Sequence, residues 1–179
     1  MHRLFVAVDL DDNAKEAISG ICTGIPGVKW VGAAQLHLTL RFIGDADDSL
    51  CDRIREELTC VAAVPFSLVL RGVGRFPPKR DPRVLWAGIE QSEGLLSLQR
   101  LIEEALERCG LEPELREFNP HITLARLKDI PLSIIAPFLE RNRLFAAPPV
   151  PVVEFHLFSS TLSPRGAIHN RLLSYPLKG

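Results

Sequence analysis

Long apolar runs, paired cysteines, nucleotide-loop glycine motifs and a large net charge are all missing from this sequence, and each absence removes a class of protein. No stretch reaches transmembrane length, so no membrane association is expected. Met1 to Leu10 is short and runs into Asp9, Asp11 and Asp12, too acidic at its end for a signal peptide. The cysteines, Cys22, Cys51, Cys60 and Cys109, are scattered without a C-x-x-C pair. They read as reduced thiols of a cytoplasmic protein, with neither a disulfide framework nor a zinc knuckle. A formal net charge of −1 excludes a broadly basic, duplex-coating surface and leaves room only for a local patch that grips one or two phosphates. Any nucleic-acid role is therefore end-specific. No G-x-G-x-x-G follows a strand and no Walker lysine loop is present, which removes the common nucleotide folds. Coiled-coil heptads are lacking as well, so a monomer is the default.

What is present is a globular chain. Its 179 residues are 46% hydrophobic and 24% charged, enough for a core and for one domain over 1–179. Leu4 to Leu10 suits an opening strand, and Asn13 to Cys22 carries apolar residues at helical spacing. Gln35 to Gly44 alternates polar and apolar as far as Phe42, the period of a strand. Ser49 to Ala63 reads as an amphipathic helix capped by Asp47 or Asp48, followed by strands at Phe66–Arg71 and Val84–Glu90. Between these lies a basic, Gly- and Pro-rich loop, Gly72 to Arg83. Ser92 to Cys109 is the next helix, Pro120 to Leu127 a strand, and Pro131 to about Leu139 a shorter helix that Pro137 threatens to break. Strands at Val150–Ser160 and Ile168–Tyr175 close the chain. The mixture indicates α+β with largely antiparallel sheets.

One word occurs twice: His37-Leu38-Thr39-Leu40 and His121-Ile122-Thr123-Leu124. In a strand, residues two apart share a face, so each word sets an imidazole beside a hydroxyl with apolar residues behind. A single H-x-T-x means little. Two in matching contexts suggest related lobes facing a common cleft. Opening a phosphodiester needs a base for water on one side of phosphorus and an acid for the leaving oxygen opposite, and histidine serves in either role. Thr39 and Thr123 are placed to donate to the non-bridging oxygens. Neither word supplies Cys, Asp or Glu on the histidine face, so no metal and no cofactor is expected.

The chain resembles the two-histidine (2H) phosphoesterase superfamily, and within it the RNA 2′,3′-cyclic phosphodiesterase branch, also called 2′-5′ RNA ligase. The resemblance rests on Arg3 to Val8, His37 to Gly44, Pro82 to Gly88, Pro120 to Arg126 and Ser163 to Ala167. It implies a bilobal, pseudo-twofold α+β domain of two intertwined lobes, with two mainly antiparallel sheets flanking a central cleft and helices outside. It implies hydrolysis of RNA 2′,3′-cyclic phosphate ends to 2′-phosphomonoesters, with His37 as proton donor and His121 as acceptor. Near-symmetry of the motifs leaves that order open from the residues alone. Substrates of this class include tRNA halves and cyclic nucleotides.

Arg126 has the wrong parity to share a face with His121 unless a bulge intervenes, whereas the resemblance favours it near the phosphate. Arg41 shares parity with His37, so an ideal strand points it into the cleft. Phe76, amid Arg71, Arg75, Lys79, Arg80 and Arg83, is a candidate base-stacking platform on an RNA-guiding rim. Phe5 reads as core. His2, His156 and His169 have no repeated context and read as structural or surface residues, although His169 stands where relatives often carry an aromatic. Alternatives to hydrolysis are reversible 2′-5′ RNA ligation, action on small cyclic nucleotides, and an RNA-end binding module. Binding alone would not require both imidazoles.

Overall fold

The computed structural model describes residues 1–178. The chain runs β1 (His2–Asp9), α1 (Asp12–Ile21), a 3-10 turn (Ala33–Gln35), β2 (His37–Ala46), α2 (Asp48–Leu58), β3 (Phe66–Leu68) and β4 (Leu70–Phe76). It continues through β5 (Val84–Ile89), α3 (Glu93–Arg108), β6 (His121–Arg126), α4 (Leu132–Arg141), β7 (Val150–Val152), β8 (Glu154–Ser163) and β9 (Gly166–Pro176). Seven strands form one antiparallel sheet in the order β4-β5-β6-β2-β1-β8-β9, and β3 pairs with β7 apart from it.

The antiparallel α+β architecture is as the sequence predicts, with one refinement. The two halves, β4-β5-β6 and β2-β1-β8-β9, join edge to edge through a single registered pair, Leu38 opposite Ile122. The two motif strands touch there. One half is built from mid-chain strands and the other from both ends of the chain.

Local chemistry explains the helix ends. The side chains of Asp11, Asp47 and Ser92 accept from the amides of Ala14, Leu50 and Leu95, each satisfying one orphan donor of a first turn. Helix α2 stops at Leu58, short of the predicted Ala63, because Thr59 turns its hydroxyl and amide back onto the Glu56 carbonyl. Helix α4 runs through Pro137 to Arg141, past the predicted stop. Its buried face, Ile135 and Phe138, anchors it on both sides of the proline.

The largest departure is β4, where a loop is expected from Gly72. Residues 73–76 instead pair with β5, the sheet partner overriding local turn chemistry. Gly74 is what makes this possible. A Cβ there would fall 2.1 Å from Cζ2 of Trp86, so only glycine lets the indole lie across the strand. Leu38, Leu40, Ile122, Leu124, Val6 and Leu85 belong to one continuous core drawn from both halves. That core leaves the alternate face of β2 and β6 to carry the polar residues of the motifs.

Candidate active site

Because β2 and β6 run antiparallel with Leu38 opposite Ile122, the register sets His37 across from Thr123 and Thr39 across from His121. The pseudo-twofold passes through that apolar pair. The histidines stand on a cross-strand diagonal, roughly 7–8 Å in a regular ladder, on one face of the sheet. All four side chains are half-buried.

Each imidazole is fixed in the same way. His37 Nδ1–H donates to the carbonyl of Gln35 at 2.7 Å, and His121 Nδ1–H donates to that of Asn119 at 2.8 Å, two residues upstream in both cases. A carbonyl only accepts, so the proton of the neutral ring sits on Nδ1 and the Nε2 lone pair is free. Two bases are thus pre-set, each able to accept or return a proton at Nε2.

Their surroundings differ. His37 packs in an aromatic nest, with its ring centroid 5.1 Å from Phe5 and 5.2 Å from His169, and Phe158 stacked on Phe5 at 5.1 Å. Burial there pushes its pKa down to about 4, opposed by the Gln35 hydrogen bond and helped by the nearby His169 and Arg126. His121 meets a single ring, the edge-on Phe76 at 5.0 Å, which rests in turn on Trp86 at 5.4 Å. Asp9, which ends β1 opposite His37, is held below the usual carboxylate range. Burial opposes that shift, but Lys15, the Leu10 amide and Arg171 outweigh it.

A shared irregularity decides which other residues reach the site. On β6, Thr123 pairs with Trp86 but Ala125 with Leu85, so Leu124 is an extra residue. On β2, Thr39 pairs with Ala7 and Arg41 with Val6, so Leu40 is extra in the same motif position. Each bulge reverses the parity beyond the threonine. Arg126 therefore turns to the face of His121, exposed and close enough to depress both His37 and His169. Its pseudo-twofold counterpart is Phe42, 61% exposed and 6.1 Å from Phe5.

The same bulge sets the path of Arg41, which lines a groove together with Thr39 and His121. Its parity is lost at Leu40, and its guanidinium faces α3 and the segment after it. There it pairs with Glu103 at 2.9 Å and Glu114 at 3.3 Å and donates to the carbonyl of Glu112. Glu103 and Glu114, which line the same groove, thus neutralise its charge there. Burial raises Glu103 above its ordinary value even though Arg41 pulls it down.

Of the basic segment, Arg75 is turned inward to the carbonyls of Pro77 and Arg80, folding the loop, while Lys79, Arg80 and Arg83 remain exposed. Phe76 and Phe42 line a groove of about 410 Å³ that opens from Thr39 and His121 toward Arg116 and Phe118. Sequence reasoning missed Phe42 and Gln35 and set His169 aside, while Phe5, read as core, is buried. Phe5 has the opposite parity to Leu4 and Val6, so its buried ring packs on His37. Nothing local marks His169, which β9 brings back over a sequence separation of 134 residues so that its amide donates to the Gln35 side chain at 3.0 Å. His156 is buried and bonded to Ser174, and His2 pairs with Asp48 at the surface, as expected for structural residues. All four cysteines are free, and no helix among the described residues is long and apolar enough to cross a membrane. Among those residues no group of three or more His, Cys, Asp or Glu side chains is arranged to hold a metal.

The sequence profile of the 2′-5′ RNA ligase superfamily matches residues 10–162. An RNA 2′,3′-cyclic phosphodiesterase of Archaeoglobus fulgidus is 34% identical over 95% of this chain and 97% of its own. One from Thermotoga maritima is 33% identical over 99% and 96%. The crystal structure of TT0787 of Thermus thermophilus superposes with a TM-score of 0.82 at 30% identity, covering 99% of this chain and 98% of that one. Escherichia coli LigT in apo form does so at 0.77 and 26%, again over 99% and 98%. With twin His–Thr strands, twin bulges and relatives spanning nearly its full length, the chain belongs to the 2′-5′ RNA ligase superfamily of two-histidine phosphoesterases.

Proposed function

We propose that this chain is an RNA 2′,3′-cyclic 3′-phosphodiesterase, hydrolysing cyclic phosphate ends to 2′-phosphomonoesters. The observation that carries this reading is the pair of imidazoles with Nδ1 anchored on backbone and Nε2 free, each across the strands from the other motif's threonine. The relatives named for this activity support it. RNA ends, tRNA halves among them, are the substrate, and the protein acts as a cytoplasmic monomer, one domain of two intertwined lobes.

His121 Nε2 takes a proton from water as the water oxygen attacks phosphorus. The bond to the 3′-oxygen breaks in line, and that oxygen takes a proton from His37 Nε2. Thr39, Thr123 and Arg126 meet the charge that gathers on the non-bridging oxygens. Phe76 and Phe42 flank the base. His37 is neutral in the free protein, since burial holds it near 4, so its proton arrives with the anionic substrate that stabilises the imidazolium.

The test is an oligonucleotide ending in a 2′,3′-cyclic phosphate, incubated with the protein and EDTA, with the product identified. A 2′-phosphate is expected. His37→Ala and His121→Ala should each lose about 10²–10⁴-fold in kcat while still binding RNA. No turnover by the native chain removes the proposal, a 3′-phosphate product reverses the leaving group, and a near-normal rate in either variant removes that histidine from catalysis.

A further inference from the structure

The cleft holds three imidazoles, not two, and the third lies on the His37 side. His169 stands edge-on to His37 at 5.2 Å, with an interplanar angle of 87°, and edge-on to Phe5 at 4.9 Å. Its Nδ1 is enclosed and has no hydrogen-bond partner. That distinguishes it from His37 and His121, whose Nδ1 atoms both donate to carbonyls.

A neutral imidazole carries its proton on one nitrogen. An enclosed, unpaired N–H is the rarer and costlier defect, whereas an enclosed lone pair is better tolerated. The proton of His169 therefore belongs on Nε2, the one ring nitrogen left with access to the cleft. The ring remains uncharged near neutrality, because burial and the Arg126 charge both lower its pKa. The cleft then presents two lone pairs, from His37 and His121, and one neutral donor, from His169. Its backbone is held by the Gln35 side chain, and Gln35 also anchors His37 through its carbonyl. One residue thus sets the spacing of the two rings.

We propose that His169 contacts the substrate, its Nε2–H donating a hydrogen bond to a phosphate oxygen on the His37 side, where the charge of Arg126 is also felt. The proposal rests on the reading of the cleft as a phosphodiester site. An N–H is preferable to a second cation here, since another positive charge beside His37 would further oppose its protonation.

Two measurements test it. Nitrogen-15 imidazole spectra of the whole protein should place the neutral proton on Nδ1 in His37 and His121 and on Nε2 in His169; Nδ1 protonation in His169 overturns the proposal. Kinetics on a 2′,3′-cyclic phosphate end should show a loss of about 10–100-fold in kcat/KM for His169→Phe, the range for a hydrogen bond to a charged group. His169→Gln, whose amide nitrogen can occupy the place of Nε2, should stay within about threefold. A His169→Phe variant that melts normally and keeps native kcat/KM overturns the proposal, and so does equal loss in the Phe and Gln variants. Should the native protein turn over no cyclic phosphate, the functional reading fails by itself. His169 is then judged on the spectra and on inorganic phosphate, whose affinity should fall about tenfold in His169→Phe and whose unchanged affinity overturns the contact.

Discussion

Replacing His37 by glutamine should change how stability depends on pH, and the size of the change follows from the aromatic nest. A histidine held at about 4 when folded, against 6.5 when free, binds its proton more readily in the unfolded chain. Above 6.5 neither state holds the proton, and the full stability is present. As pH falls through 6.5 the unfolded state takes it up and gains, until near 4 the native ring is protonated too. Between pH 7 and pH 4.5 this linkage costs the native state roughly 2 kcal/mol. Urea unfolding at both pH values, for the native protein and His37→Gln, measures it as the difference between the two pH-dependent losses. His156 and His169 are also depressed, each chiefly by burial, and add to the loss in both proteins. Phosphate and other anions must be absent, since a ligand in the cleft would raise the native pKa. Equal losses in the two proteins would refute the reasoning, because they would mean that His37 is no more desolvated than in the open chain.

Two further perturbations probe the surroundings of the site. Arg41→Ala should cost about 1–3 kcal/mol by leaving Glu103 and Glu114 without their shared cation, with kcat/KM changed less than about threefold; a tenfold loss of kcat/KM at native stability would return Arg41 to the substrate. Gly74→Ala forces Trp86 off the strand and should cost about 1–3 kcal/mol in urea unfolding, with reduced turnover through Phe76 and His121; an unchanged near-ultraviolet circular dichroism spectrum would show that the indole did not have to move.

Much of the site is legible in the sequence because strand periodicity is a local rule. The repeated His-x-Thr words need only an alternating backbone to place four polar groups on one face. Apolar Leu38 and Ile122 then determine which face is buried. Helix caps at Asp11, Asp47 and Ser92 are equally local, since a short oxygen-bearing side chain needs only the amide three residues ahead.

The tertiary structure decided whatever depends on a partner strand. Bulges at Leu40 and Leu124 exist only against β1 and β5, and they turn Arg126 into the cleft and aim Arg41 at Glu103 and Glu114, reversing the parity of an ideal strand. The strand at Leu70–Phe76 displaces a loop that its glycines favour, because Trp86 and the β5 ladder reward the extended form. Most of all, the two similar words become unequal through packing. β8 and β9 return to wrap His37 with Phe158 and His169, while His121 keeps one aromatic edge, and a difference in desolvation separates two imidazoles that the chain wrote alike.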